Sequence, residues 1–181
     1  MIQAGALTAE IYMLQLLPVG ASITWHAFLN LSLKQTMRLL YSLLGGLAGA
    51  AALNIIHETV RHLNQEAPKI ELVGEEAVNK VRKLAGAEPL KGKRLYAAAL
   101  TGDIVTNALY YSIAGISPKN AITIGTLTGA AAGVGALCLT KPMGLDDAPV
   151  NRSRKAQIGT VAYYTLGGLV AGLVIRQLSK N

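Results

Sequence analysis

Charge is what this chain has least of. Only 15% of its 181 residues are Asp, Glu, Lys or Arg, while 51% are hydrophobic; soluble domains average about 25% charged. So little charge cannot cover a water-facing surface, and an ordinary soluble globular domain is excluded. The mean hydropathy of +0.37 and the gathering of apolar residues into long blocks point instead to helices in lipid. Cysteine is nearly absent as well. The single Cys138 rules out an intramolecular disulfide, gives no reading of compartment, and is expected to be a small packing residue. Aromatics make up 5%, mostly the seven Tyr, with one Trp and one Phe. The interior must therefore be built from Leu, Ala, Ile, Val and Gly.

The net charge of +7 raises nucleic acid as a partner, but no aromatic-basic pattern of an RNA or DNA reader accompanies it. The basic residues cluster between apolar blocks, where membrane proteins keep them to set orientation. No nucleic acid is expected as a partner. Catalytic templates are missing too: there is no Gly-x-Ser-x-Gly elbow, Cys138 has no basic partner in its block, and no cofactor is expected.

What is present reads as an all-α integral membrane bundle. Four transmembrane helices are predicted, over about 37–56, 95–115, 121–140 and 157–175, with a fifth open at 11–33. Residues 1–36 form an uncertain apolar N-terminal segment: Ile11 to Leu33 carries no charge and is long enough to span, yet Pro18 and Gly20 interrupt it. It reads as a membrane helix, a re-entrant segment or an extension ahead of a start at Met37. A signal peptide fits poorly, since Glu10 and no Lys or Arg precedes the apolar part. Residues 37–181 form the helical membrane domain. Within it, 58–94 is too polar to span and holds an amphipathic helix from about Leu72 to Ala85, bracketed by Pro68 and Pro89 and ended by Gly86. Ser117 is expected to cap a helix that has Pro118 in first position. Glycines at four-residue spacing, Gly45 with Gly49, then Gly125, Gly129 and Gly133 as a glycine zipper, predict close helix packing.

The segments 58–94 and 141–156 share one side in a four-span arrangement and hold 12 of the 17 Lys and Arg. The positive-inside rule places them in the cytoplasm.

Two polar stripes interrupt the apolar helices. In Asn54-Ile55-Ile56-His57-Glu58-Thr59-Val60-Arg61-His62, helical steps put Asn54, His57, Glu58 and Arg61 on one face. In the second span Asp103, Thr106, Asn107 and Tyr110 repeat the same i, i+3, i+4, i+7 pattern. A mid-span Asp costs about 2.5–3.5 kcal/mol, while Leu95, Leu100, Ile104, Val105, Leu109 and Ile113 return roughly 2–4 together. That helix must lean on its neighbours, with Asp103 facing them. Since the two helices are antiparallel and the stripes overlap in depth, Asp103 and Asn107 are expected to meet Asn54, His57 and Arg61 across a polar seam.

Three purposes fit the seam. The leading one is structural or accessory: buried polar groups fix the register of two helices, in a homo-oligomer or a subunit of a larger assembly. The second is a proton- or ion-coupled carrier using Asp103 and His57. The third is a membrane-embedded metal enzyme. For that, Glu58 and His62 are weak candidates, because His57-Glu58-Thr59-Val60-Arg61-His62 is not H-E-x-x-H: its second His falls one residue late.

His57-Glu58-Thr59-x-Arg61, Ala67-Pro68 and Gly102-Asp103-x-x-Thr106-Asn107-x-x-Tyr110-Tyr111-Ser112 together resemble the motifs of a group of small, uncharacterised bacterial polytopic membrane proteins. The resemblance covers about Met37 to Asn181. It implies a bacterial inner (cytoplasmic) membrane location and carries no activity with it.

Overall fold

A computed structural model describes residues 19–64 and 66–180, with side chains from Asn30 onward. The chain falls into two units, Met1–Leu39 and Leu40–Asn181. Where described, the first unit is helical from Val19, and its side chains from Asn30 to Leu39 are exposed. Residues 1–18 of the predicted N-terminal segment lie outside the described residues. The remainder of that segment is not a separate element: a single helix, α1, runs Val19–Leu63. No break separates 33 from 37, because no Gly or Pro lies between them and Leu33-Lys34-Gln35-Thr36-Met37 suits a helix throughout. The helix also continues past Ile56, so the whole 54–62 stripe is helical.

The second unit holds the end of α1 and, in order, α2 (Ile70–Leu84), α3 (Gly92–Tyr111), 3-10 turns at Ser112–Ile116 and Pro118–Asn120, α4 (Ala121–Leu139), the short α5 (Ala148–Asn151) and α6 (Arg154–Leu178). Helix α2 ends in a glycine cap. Gly86 takes φ 70, its N–H donates to Lys83 O, and the N–H of Ala87 donates to Arg82 O. The Ser117 hydroxyl, expected as a cap, makes no capping bond. The tight 3-10 turn satisfies the chain there through Asn120 N–H to Ser117 O, at 2.9 Å. A side-chain cap stands instead at Ser153, which accepts from the N–H of Ala156 and starts α6.

Three stretches are long and apolar enough to cross a membrane: Asn30–Leu63, Pro118–Leu139 and Arg154–Leu178. Their most apolar windows are only 28%, 17% and 33% buried within the protein. Large side chains such as Leu39, Leu127, Val134 and Ile158 point outward, and Cys138, expected in the packing, is exposed with them. The buried positions go largely to small residues: Ala50, Ala99, Ala114, Ala121, Ala156 and Ala171. Large apolar groups outside and small ones inside is the arrangement a helix bundle takes in lipid, where close backbone approach drives association. Helix α3 is not among the three stretches, since Lys93, Arg94 and Asp103 lower its apolar character.

The glycines set the approach of these helices. Gly125, Gly129 and Gly133 are buried on α4. A Cβ added at them would run into Gly168 O, Tyr164 O and Val161 Cα of α6. Gly45 and Gly49 seat α1 on α6, against Ile175 and against Gly167 O; Gly46 seats it on Ala108 O of α3. Tyr111, fully buried, crosses the interior and donates its hydroxyl to Tyr164 O at 2.9 Å.

Candidate functional site

The two polar stripes lie against each other, and their side chains divide between two sets of partners. The first set is centred on Asp103 of α3. Asn54 of α1 donates from Nδ2 to Asp103 Oδ2 at 2.8 Å and gives its other amide hydrogen to Ala50 O. Asn107, one turn along α3 and buried, donates to Asp103 Oδ1 at 2.9 Å. The carboxylate is thus held from both sides by neutral amides.

The second set is centred on Glu71, in the first turn of α2. Arg61 Nη1 donates to Glu71 Oε1 at 3.0 Å, and Arg61 Nη2 donates to Glu58 Oε1. His57 Nε2 lies 3.1 Å from Pro68 O and 3.3 Å from Glu71 Oε2. Both neighbours are acceptors, so this nitrogen carries the proton. Burial works against the Glu71 charge. The His57 ring, a backbone N–H and the Arg61 guanidinium outweigh it, and the carboxyl titrates below its ordinary range. His62 pairs with Glu58 one turn away, on the exposed side.

The geometry therefore parts from the expected meeting with Asp103 at two residues. Asn54 reaches Asp103. His57 and Arg61 turn instead to the segment after α1, where α2 is folded back over them, and Glu58 pairs within α1 with Arg61 and His62. The fold-back is fastened by Ala67 N–H to Asn64 O and by Lys69 N–H to Pro149 O. The weak metal candidates fare differently: Glu58 and His62 are bound to each other, and among the described residues no group of three or more His, Cys, Asp or Glu side chains is placed to hold a metal ion.

Between α1, α2 and α3 the structure leaves a cavity of about 460 Å³. Its walls are largely apolar, from Ala51, Ile55, Ile70, Ala99, Leu100 and Ile104, and its polar groups include Asn54, His57, Glu58, Glu71 and Asp103. The apolar stripe of α2 is only partly covered. Val81 and Leu84 are exposed, and a Cβ added at Gly74 would meet Ala99 of α3 at an ordinary contact distance of 3.6 Å. Polar anchors hold the far end of α2. Asn79 exchanges two hydrogen bonds with Leu90, Lys80 donates to Met143 O and Gly144 O, and Glu76 accepts from the N–H of Asp146.

Glu71 and the cavity escape a reading of the sequence alone. One signal for Glu71 exists: it is the acidic residue of the first helical turn after Pro68, within a short fold-back of Arg61. No family model, curated protein or solved structure matches this chain.

Proposed function

We propose that this is a small four-span membrane protein of structural or accessory role, in which α1 carries a polar seam that holds α3 in the bundle and clamps α2 over it. The observation that carries this reading is that each of the seam's carboxylates is tied to a neighbouring side chain. Asp103 is bonded to two amides, and Glu58 and Glu71 share Arg61. Each side chain is spent on another helix or on its own, which is what register-fixing groups do in membranes. The resemblance to bacterial polytopic proteins supports an inner-membrane location, and the basic residues of 58–94 support a cytoplasmic connector. Lipid is the expected surrounding, with a homo-oligomer or a larger assembly as partner.

A second reading rests on one observation: Asp103 and His57 line the same cavity, as a proton-coupled carrier requires. Reconstitution in liposomes with a trapped pH dye separates the two. The structural role predicts no proton flux from the native protein and a lower thermal midpoint for Asp103→Asn. A flux that Asp103→Asn abolishes without loss of stability favours the carrier. Topology is tested by labelling Lys91→Cys and Lys119→Cys in a Cys138→Ser background. Four spans predict labelling from opposite sides of the membrane; labelling from the same side removes α3 from the spans.

A further inference from the structure

The cavity between α1, α2 and α3 is lined by three carboxylates, and no Lys or Arg is among its lining residues. We propose that it binds a hydrophobic amine, with a cationic head on Asp103 and an apolar body along Ile55, Leu100 and Ile104. This goes beyond the structural role, since the seam joins its helices whether or not the cavity is filled.

The hydrogen-bond inventory sets the polarity of the ligand. Apart from the Tyr96 hydroxyl, the side-chain donors on the cavity wall are committed to the protein itself. Both amide hydrogens of Asn54 go to Ala50 O and Asp103, His57 Nε2 faces Pro68 O, and the Thr59 hydroxyl donates to Ile55 O. Acceptors are in surplus. A carboxylate offers about four lone-pair sites, and the side-chain bonds to Asp103 from Asn54 and Asn107 use two of them. Glu71 Oε2 is met only by the His57 ring, at 3.3 Å. A ligand for this wall must bring donors.

Charge points the same way. Arg61 answers Glu58 and Glu71 from outside the cavity, whereas the side chains bonded to Asp103 are neutral amides. A protonated amine there makes a charge-assisted bond in a partly buried, largely apolar setting, where such bonds are strongest. A carboxylate or phosphate head would meet like charge. The volume lies within the range of roughly 300–1,000 Å³ that small-molecule sites occupy.

The test uses the full chain in phosphatidylcholine nanodiscs, with empty nanodiscs as background and dodecylamine, dodecanol and dodecanoate as probes. Saturable binding of dodecylamine at one per chain is expected, with dodecanol weaker and dodecanoate at background. Asp103→Asn should weaken dodecylamine on the order of tenfold, the value of one charged hydrogen bond. Ala51→Phe, which fills the cavity, should abolish binding while keeping the thermal midpoint. If either variant fails to fold, the other decides, and the probe series on the native protein stands apart from both. Equal binding of amine and carboxylate, or amine binding that survives in folded Asp103→Asn and Ala51→Phe, overturns the proposal.

Discussion

Glu71→Gln should release α2 from the bundle while leaving the rest of the fold in place. The Glu71 side chain is 13% exposed and sits against Arg61 at 3.0 Å and His57 at 3.3 Å. Hydrogen bonds to charged groups contribute about 1.5–3 kcal/mol each. Gln keeps a neutral acceptor for Arg61 but loses the charge, and Arg61 retains Glu58, so the net loss is about 2 kcal/mol. At 1.4 kcal/mol per tenfold, local opening of α2 should become about 30-fold more frequent. The other anchors do not compensate: the bonds from Lys80 and to Glu76 are exposed, exposed polar contacts contribute little, and the part-buried Asn79–Leu90 pair ties α2 only to the chain that follows it. Hydrogen exchange of the protein in nanodiscs reads this directly. Amides of 72–84 should exchange about 30-fold faster, with those of α4 and α6 unchanged. Unchanged exchange in α2 would show that Glu71 does not hold it. An equal rise across α4 and α6 would show that the clamp and the bundle are one cooperative unit.

Acid should repeat the effect. The folded-state pKa of Glu71 is depressed, so its contribution is complete above the ordinary carboxylate value, about 4.3, and is lost as pH falls through the lower folded value. Exchange of α2 should therefore accelerate only below about pH 4.5 in the native protein, and Glu71→Gln should lack that step. Gly129→Ala forces a methyl into Tyr164 O and should cost about 1–3 kcal/mol; Gly102→Ala, with open space around it, should cost nothing and gain up to about 1 kcal/mol of helix propensity. Thermal unfolding in micelles compares the two, and equal effects would remove the packing role of Gly129. Tyr111→Phe deletes the bond to Tyr164 O and should cost on the order of 0.6 kcal/mol, read as a small drop in the same midpoint.

The helical content and the apolar stretches are legible in the sequence because hydropathy and helical period act locally. The bond between Asn107 and Asp103 follows from their i, i+4 spacing on one helix, and the bond from Asn54 follows from depth counted along two antiparallel helices joined at one end. Glu71 is a different case. Its contact with Arg61 depends on how the chain folds back between α1 and α2, and the bonds that fasten that fold-back include one from Lys69 N–H to Pro149 O, a residue far along the chain. The outward position of Val81 and Leu84 on α2 is likewise hidden. Periodicity gives α2 an apolar stripe, but side-chain bonds from its polar groups tie it to other elements: Glu71 to Arg61, Lys80 to Met143 O and Glu76 to the N–H of Asp146.

One stripe of α1 thus holds two helices at two levels. Asn54 takes α3 through Asp103, and His57 and Arg61, one and two turns later, take α2 through Glu71 and Pro68. Between the two polar levels Gly74 of α2 faces Ala99 of α3 with room for a methyl group, and the three helices stand apart there around the cavity. The cavity is what that geometry leaves. Two of its carboxylates, Asp103 and Glu71, are the same groups that tie the helices together, since a residue that bridges two helices also borders the gap being bridged. Seam and cavity are therefore one construction, and a change at Asp103 acts on both the hold of α3 and the charge that a ligand meets.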